Sequence, residues 1–272
     1  MTRKILVYPY LLWAIIFIIV PLLLIVYYSF TQFGTGSFTL ANFIRVFEPT
    51  YVNVMINSIS LAFKSTVICF IIGYPAAYIM AEKDLNTKSA LLFLFVVPMW
   101  MNLLLRTYAW LTILENNGLI NSFLAFVGLP KLELLYTEGA VILGMVYNFL
   151  PFMILPIYTV LKKMNKSIIE AAEDLGADSI NVFFRVVLPL SVPGIMSGVT
   201  MVFMPAVTTF IISNLLGGGQ FILIGNLIER QFLQVGDWHL GSALSVVLMV
   251  IVLISMAIFS IFDREEEGGG LF

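Results

Sequence analysis

The chain has 272 residues, of which 60% are hydrophobic and only 11% are charged. A water-soluble domain of this length carries roughly twice that share of charge, so the composition indicates a membrane protein. The net charge of −2 provides no basic surface for nucleic acid. Cys69 is the only cysteine and His239 the only histidine, which excludes an intrachain disulfide and leaves few ways to build a metal site or a catalytic nucleophile.

Six apolar windows are long enough to cross a membrane as helices, which takes about 20 residues. They cover about 5–30, 56–81, 89–114, 138–161, 190–216 and 240–262. The first is far longer than the apolar part of a signal peptide, so we interpret it as an uncleaved span. Because a lone strand in lipid leaves its backbone groups unpaired, every window is expected to be helical. The predicted fold is all-α, with six transmembrane helices in one domain, 1–262, and a polar, disordered tail, 263–272.

Lysine and arginine are unevenly distributed between the two sides of such a bundle. With the N-terminus inside, the inner segments hold nine: Arg3, Lys4, Lys83, Lys88, Lys162, Lys163, Lys166, Arg185 and Arg264. The outer segments hold three: Arg45, Lys131 and Arg230. The positive-inside rule then predicts that both termini, the tail and the segment at about 162–189 are cytoplasmic.

That cytoplasmic segment is charged and has the pattern of a short amphipathic helix. Ser167 and Glu170 have the spacing of a capping box. Ile168, Ala172 and Leu175 fall on one helical face. The first half of the segment is therefore predicted to be a capped helix with one apolar side.

A second short helix is predicted to follow. Gly176 can adopt the left-handed conformation that ends a helix. Either Asp178 or Ser179 can cap the next one, which runs to about Val187, and Pro189 leads into the following span. Two short helices at an angle suit a hydrophobic groove on a partner, although an ordinary connector between spans also contains capped helices.

The joint spacing of Glu170-Ala171-Ala172, Gly176 and Leu188-Pro189 resembles the cytoplasmic EAA loop of permease subunits in ABC importers. In that family the loop docks on a separate ATPase. The resemblance assigns this coupling role to Glu170, Ala171, Ala172, Gly176, Leu188 and Pro189. It also implies the type I importer fold, similar to methionine permeases. It implies that the chain is not itself an enzyme and binds no cofactor, since the partner ATPase would hold ATP and magnesium.

Similarity to one branch of that family extends along the chain. The segments that carry it are Tyr8–Trp13, Pro21–Phe30, Leu105–Trp110, Asn116–Asn121, Leu215–Gly218 and Ile224–Ile228. They resemble permeases of spermidine/putrescine importers, with Val186 as a departure where the loop usually has isoleucine. The resemblance implies a multi-pass protein of the bacterial cytoplasmic membrane. Its implied partners are a second permease subunit, two copies of an ATPase and an extracytoplasmic polyamine-binding protein.

A polyamine carries several positive charges, so carboxylates and aromatic faces near the outer half are candidates for its pathway. The candidates are Glu229, Tyr108, Trp110, Glu115, Tyr147, Asp237 and Trp238. Glu229 is the first choice, because it is an acid in an otherwise apolar stretch. Aromatic belts at the membrane interfaces account equally well for Trp110 and Trp238.

Two cations lie within predicted spans, where ionisable groups are costly and tend to be functional. Lys64 and Arg106 can pair with acids such as Glu115, Glu229 or Asp237, or bind a carbonyl. Lys64 can equally extend to the outer interface. Arg106 is predicted to have a structural or gating role.

The outer segment at about 217–239 is too short and too interrupted to cross a membrane. It opens with Gly217-Gly218-Gly219 and then carries two apolar stretches. Two interpretations remain open: a re-entrant or interfacial helix that lines a cavity, and a linker on the outer rim of the bundle.

Other classes of function find little support in the sequence. There is no Gly-x-x-x-x-Gly-Lys-Ser/Thr motif, so the chain is not an ATPase. An intramembrane enzyme would need a set of catalytic or metal-binding residues in the spans, and we predict none. A secondary transporter or channel would need acids in the spans or inverted repeats, and would leave the cytoplasmic loop unexplained. A permease for another small solute remains an alternative.

Overall fold

The computed structural model describes residues 8–82 and 95–264. In these ranges the chain is helical apart from short connections and one isolated bridge between Thr31 and Phe38. The all-α prediction is therefore confirmed for the described residues.

The first half of the chain contains six helices in the described ranges. Helix α1 comprises Tyr8–Ala14, a π-helical stretch Ile15–Ile19 and Val20–Ser29, α2 is Ala41–Val46, α3 is Pro49–Glu82, α4 is Leu103–Leu114, α5 is Leu119–Phe126 and α6 is Glu138–Lys163. The second half follows in the same way. Helix α7 is Lys166–Asp174, α8 is Ser179–Val182 continued by Phe183–Val187 and Leu188–Leu190, α9 is Val192–Thr208, α10 is Ile211–Gly217, α11 is Ile224–Arg230 extended by Gln231–Val235, and α12 is Trp238–Arg264.

Four described helices are long and apolar enough to cross a membrane. They contain the stretches Pro9–Ser29, Pro49–Glu82, Glu138–Lys163 and Trp238–Phe259. A fifth crossing requires α8 and α9 together, and these two are bent by 62° at their junction. The described residues thus contain four or five apolar crossings, which is fewer than the six that the sequence predicts.

The third predicted window, 89–114, is interrupted. Its first residues, up to 94, lie outside the described residues. The described part has a 3-10 turn at Val97–Trp100 and then an extended break, after which Asn102 caps α4 by accepting from the N–H of Leu104 at 2.8 Å. Helix α4 has 12 residues, too few to cross by itself. Window averages miss such a break because Asn102 is a single polar residue among apolar ones.

Other boundaries also differ from the prediction. Helix α3 starts at Pro49 rather than near residue 56, because proline is favoured at the first position of a helix. The fifth window divides after Thr208, where Thr209 is extended with ψ of 141°. Helix α12 reaches Arg264, so the first residues of the predicted disordered tail are helical, and the rest of the tail lies outside the described residues.

The core is built around α6, which packs against α3 on one side and α9 on the other. Met145, Met153 and Ile157 on α6 are fully buried. A Cβ on Gly73 of α3 would lie 3.0 Å from Met153 Cγ, and one on Gly198 of α9 would lie 2.9 Å from Met153 Sδ. Small residues thus let all three backbones approach closely, as is common in membrane bundles.

Helix α6 defines the two ends of the bundle. The Lys163 end carries the loop formed by α7 and α8. The Glu138 end carries the segments just before α6, including α5. Candidate functional residues lie at both ends.

Candidate functional site

The N-cap of helix α7 lies two residues before the predicted one. The side chain of Asn165 accepts a hydrogen bond from the N–H of Ser167 at 3.1 Å, so Asn165 is the N-cap. Ser167 lies inside the helix, and the predicted capping box of Ser167 with Glu170 is wrong. Asparagine fulfils this role because its side-chain oxygen satisfies one of the free N–H groups as well as a serine hydroxyl does.

The end of α7 confirms the conformation predicted for Gly176. Its φ is +85°, in the left-handed region. The Gly176 N–H donates to the carbonyl of Glu173 at 2.8 Å, and the Ala177 N–H donates to that of Ala172 at 3.1 Å. A Cβ on Gly176 would meet nothing within 4 Å. The backbone conformation, not crowding by its own chain, restricts this position to glycine.

Asp178, rather than Ser179, caps the second helix of the loop. Its Oδ1 accepts from the backbone N–H of Asn181 at 2.8 Å and from the Asn181 side-chain amide at 2.7 Å. The backbone bond first, and then the side-chain bond, hold the pKa of the Asp178 carboxyl below its ordinary value. Helical structure then continues through Val187, as predicted.

Helix α7 has one side on the bundle and one side exposed. Ile169 and Ala172 are half-buried against the core. Ile168 is 45% and Leu175 is 89% exposed, and Ala171 is exposed beside them. The prediction that Ile168, Ala172 and Leu175 share one apolar face is therefore wrong for Ala172. Ala172 packs on the core of this chain, whereas Ile168 and Leu175 are exposed.

The remaining predicted coupling residues also include both exposed and half-buried side chains. Glu170 and Pro189 are exposed, whereas Leu188 is half-buried and packs on the core. The exposed apolar side chains of this loop, called the loop surface below, are Ile168, Ala171, Leu175, Ile180 and Phe184. An apolar surface outside the long spans is typical of a docking site for another protein.

Phe183 connects the loop to the bundle. Its ring centroid lies 5.7 Å from that of Tyr74 and 5.7 Å from that of Tyr78, edge-on in both cases. Both tyrosines lie on α3, about one turn apart. Because packed interiors transmit displacements, a movement of α8 reaches α3 directly through these rings.

Glu229 is half-buried on α11 at the edge of a groove of about 470 Å³. Phe210 and Ser245 line the same groove, most of which is apolar. The Oε2 atom of Glu229 accepts a hydrogen bond from the Asn214 amide at 3.2 Å. No salt bridge to Glu229 occurs among the described residues. The groove therefore contains a carboxylate without a cationic partner in the described ranges.

The start of α11 is inserted into the bundle. Leu223 is buried, and its N–H donates to Asn226 Oδ1 at 2.9 Å. The same oxygen accepts from Ser213 Oγ at 2.6 Å, while Asn226 Nδ2 donates to the carbonyl of Phe210 at 2.9 Å. The structure thus favours an inserted helix that lines a cavity over a linker on the rim. Sequence analysis missed Asn226, since a neutral amide gives no charge signal.

The aromatic candidates on α4 and α6 form one contact. The rings of Trp110 and Tyr147 meet edge-on with centroids 5.4 Å apart. Tyr108 lies on the same helix as Trp110 and is 51% exposed, without a ring contact in the described ranges. The structure therefore brings Trp110 and Tyr147 together, and leaves Tyr108 available to a neighbour.

Asp237 and Trp238 are used in the attachment of α12. Asp237 pairs with Arg45 at 2.9 Å and accepts from the Leu240 N–H at 3.0 Å, which caps the helix. The Trp238 ring packs against that of Tyr28 at 6.1 Å. These contacts lie at a different groove from Glu229, one of about 460 Å³ that Asp237 lines. The structure does not group Asp237 and Trp238 with the first-choice acid.

The two cations predicted to lie in spans differ in their contacts. Lys64 pairs with Glu138 at 2.5 Å, an acid that the sequence analysis did not consider. Arg106 is 8% exposed, and its Nε and Nη1 atoms have no hydrogen-bond partner in the described ranges. A buried guanidinium without an acceptor destabilises the conformation in which it occurs. Its acceptor has to come from water, from another conformation or from another subunit.

A polar groove at the Glu138 end was also missed by the sequence analysis. It measures about 550 Å³ and is lined by Glu115, Asn117, Glu133 and Gln220 among others. Glu115 was one of the pathway candidates, whereas Glu133 was not considered. Nothing in the spacing of these residues indicates that they meet, because they come from three separate connections.

The fold and the loop together define a class of protein, the permease subunit of an ABC importer. Solved structures support the fold. The chain matches that of a bacterial alginate ABC transporter in complex with its pentasaccharide-bound periplasmic protein, with a TM-score of 0.82 at 18% identity, covering 99% of this chain and 96% of that one. It also matches the MetNI methionine ABC transporter in an inward-facing conformation, with a TM-score of 0.55 at 18% identity, covering 79% of this chain and 94% of that one.

Sequence comparisons place the chain more narrowly. Residues 71–266 match the family described as binding-protein-dependent transport system inner membrane component. The chain is 37% identical over 254 residues to the spermidine/putrescine transport system permease protein PotB of Escherichia coli (strain K12), covering 91% of this chain and 92% of that protein. The chain therefore belongs to this family of inner-membrane permease components.

Proposed function

We propose that the chain forms half of the translocation pathway of an importer for spermidine and putrescine. The observation that carries the choice of substrate is the 37% identity to PotB over 91% of the chain. A likeness of this extent spans the loop, the grooves and the segments between the helices, and is not confined to the loop that all such importers share.

The proposed complex contains four kinds of chain. This permease pairs with a second permease subunit of the same importer, and two copies of an ATPase bind at the Lys163 end. A polyamine-binding protein delivers substrate at the Glu138 end. ATP and magnesium belong to the ATPase, so that the chain contributes movement and a pathway but no catalytic residue.

The loop surface supports the proposed coupling. On α7, Ile168 is about half exposed and Leu175 is almost fully exposed, and both fit a hydrophobic groove on the ATPase. Closure of the ATPase pair on ATP then displaces α7 and α8. Phe183 passes this displacement to Tyr74 and Tyr78 on α3. In the proposal, this opens the pathway toward the Glu138 end, and hydrolysis resets it.

The orientation follows from charge. Lys162, Lys163 and Lys166 cluster at the Lys163 end, which the positive-inside rule places in the cytoplasm, where ATP is. Both termini are then cytoplasmic, and the chain has six spans if residues 89–114 complete the third. The Glu138 end faces the compartment from which the substrate comes.

Glu229 is the proposed first contact for the substrate in this chain. Its carboxylate in a mostly apolar groove attracts an ammonium group more strongly than it would in water, because the local dielectric is lower. The edge-on pair of Trp110 and Tyr147 provides ring faces for the methylene and ammonium groups.

Uptake by the reconstituted complex tests the proposal. Proteoliposomes holding both permeases and the ATPase, with ATP inside and the binding protein outside, should accumulate labelled spermidine and putrescine. Leaving out ATP or the binding protein should abolish uptake. ATP-dependent uptake of another solute but of neither polyamine would identify a permease for that solute. Uptake at an unchanged rate without the ATPase would identify a secondary transporter or a channel.

A further inference from the structure

Helix α5 presents an apolar face that nothing in the described part of the chain covers. Leu119, Phe123, Phe126 and Val127 are 71%, 65%, 89% and 55% exposed. Their positions i, i+4, i+7 and i+8 lie on one side of a helix. Phe123 and Phe126, which make no ring contact in the described ranges, therefore project from the same side of this helix.

The opposite side of α5 is anchored to the bundle. Asn121 is fully buried. Its Nδ2 donates to the carbonyls of Glu115 and Leu132 at 3.2 and 2.9 Å, and its Oδ1 accepts from the Leu132 N–H at 2.8 Å. The side-chain amide of Asn121 thus joins the end of α4, the helix α5 and the segment that leads to α6. The direction of the apolar face is fixed by these bonds.

A third side of α5 is exposed and carries a small residue. Ala125 lies there, about 100° around the helix from Phe126. Ser122 lies at the edge of the apolar face, one turn from Leu119 and from Phe126, and its Oγ donates to the carbonyl of Asn117 at 3.5 Å. The Asn117 side chain in turn accepts from Lys131 Nζ at 2.8 Å, and Asn117 also lines the polar groove of about 550 Å³. Polar groups therefore border one edge of the apolar face.

The position of α5 matches the boundary of the membrane. Helix α6 is long enough to cross a bilayer, and Glu138 marks one of its ends. Asn121 ties α5 to Leu132, six residues before that end. A helix at this depth meets lipid on one side and water on the other, which fits an apolar face with polar groups at its edge.

We propose that α5 lies in the membrane–water interface, with the face formed by Leu119, Phe123, Phe126 and Val127 inserted among the lipid chains. Lipid is the occupant that fits this chemistry best. The face contains no hydrogen-bonding side chain and lies beside the end of a helix long enough to cross the membrane, so the surrounding lipid covers it without a partner chain. Inserted in this way, α5 acts as an anchor that holds the Glu138 end of α4 and α6 at a set depth. The inference depends only on the chain being a membrane protein, and not on its substrate.

Collision accessibility of spin labels tests the proposal. Cys69 is the only cysteine and is buried, so Cys69→Ser provides a background for single labels. Phe123→Cys places a nitroxide on the apolar face, and Ala125→Cys, on the exposed side turned away from Phe123, is the matched control. The labelled transporter, purified with its partners, is placed in nanodiscs of phosphatidylethanolamine and phosphatidylglycerol. Oxygen, which concentrates in lipid, and nickel-EDDA, which stays in water, then report the surroundings of each label.

The expected result is opposite behaviour at the two positions. The label at 123 should collide several-fold more often with oxygen than with nickel-EDDA, and the label at 125 should show the reverse. High nickel-EDDA access at 123 would place the face in water and overturn the proposal. Low access to both reagents would show a protein cover, either the second permease or the binding protein, and would overturn it as well. Phe126→Cys repeats the measurement if the label at 123 prevents folding.

Discussion

The hydroxyl of Tyr74 on α3 lies 2.9 Å from the hydroxyl of Ser191, the residue between α8 and α9. Both residues are buried, and Ser191 Oγ also donates to the carbonyl of Leu188 at 2.8 Å. Tyr74 is therefore the donor to Ser191. This bond ties the junction of α8 and α9 to α3, the helix that Phe183 also contacts.

Tyr74→Phe should remove this bond and little else. We expect the free energy of unfolding to fall by about 1 kcal/mol, because one buried hydrogen bond is lost and the ring is retained. Thermal unfolding of the purified chain in detergent measures the loss. Tyr78→Phe is the control, since Tyr78 contacts the same Phe183 ring without a side-chain hydrogen bond in the described ranges. Equal stability of the two variants would show that the Tyr74 bond contributes nothing.

Gly225→Ala should disrupt the insertion of α11. A Cβ there would lie 2.6 Å from the carbonyl oxygen of Thr208, a backbone atom that cannot move aside cheaply. We expect a loss of about 1–3 kcal/mol of stability, typical of overpacking, and lower transport. Gly139→Ala is the control, because its nearest contact is an ordinary 3.7 Å. Stability of Gly225→Ala at the level of Gly139→Ala would contradict the close approach.

Gly176→Asp should uncouple the complex while the chain still inserts in the membrane. The left-handed conformation costs a non-glycine residue about 1–2 kcal/mol, and the new carboxylate lies next to the loop surface. Membrane yield, copurification of the ATPase and transport are the measurements. Gly219→Asp is the matched control, since Gly219 also has positive φ and nothing within 4 Å. Unchanged copurification and transport in the Gly176 variant would remove this residue from the coupling.

Glu229→Gln should lower polyamine uptake more than assembly. Glutamine keeps the hydrogen bond to Asn214 but removes the charge. The lost charge attraction exceeds the roughly 1 kcal/mol of bulk water, so uptake at low substrate concentration should fall at least about fivefold. Glu133→Gln removes an exposed acid from a separate groove at the Glu138 end and serves as the control. Wild-type uptake by the Glu229 variant, or an equal loss in both, would exclude Glu229 from the pathway.

Arg106→Met should stabilise the chain and lower transport. It removes a buried guanidinium with two unpaired donors and keeps an apolar side chain of similar length. The expected gain is about 1–3 kcal/mol in thermal unfolding. Arg45→Met should instead cost up to about 1 kcal/mol, because it breaks the exposed pair with Asp237. A less stable Arg106 variant would show that the guanidinium is satisfied, for instance by water.

Local features of the loop were largely predictable from the sequence, and pairings between distant residues were not. The left-handed Gly176 and the short helix after Asp178 follow from residue types that impose their own backbone conformation. The cap at Asn165 was missed because Ser167, two residues later, offers the same chemistry. Helix α6 was predicted almost to the residue, since polar groups stand at both of its ends.

The pairs of charged residues depend on how the helices pack. Lys64 was expected beside other acids, yet Glu138 lies next to it because α3 and α6 run side by side. Asp237 is a pathway candidate from its sequence, but its pairing with Arg45 could not be predicted because the two residues lie 192 positions apart in the chain. The break after Thr208 escaped detection because a single extended residue does not change the hydropathy of a window.

The 62° angle between α8 and α9 makes these two helices an L-shaped lever. The short arm, α8, spans Ser179–Leu190 and is about 18 Å long at 1.5 Å per residue. A push across the tip of this arm acts as a torque on the long arm, which is seated against α6 through Gly194 and Gly198. In the proposed coupling, a small displacement of α8 at the Lys163 end would therefore rotate α9 within the bundle.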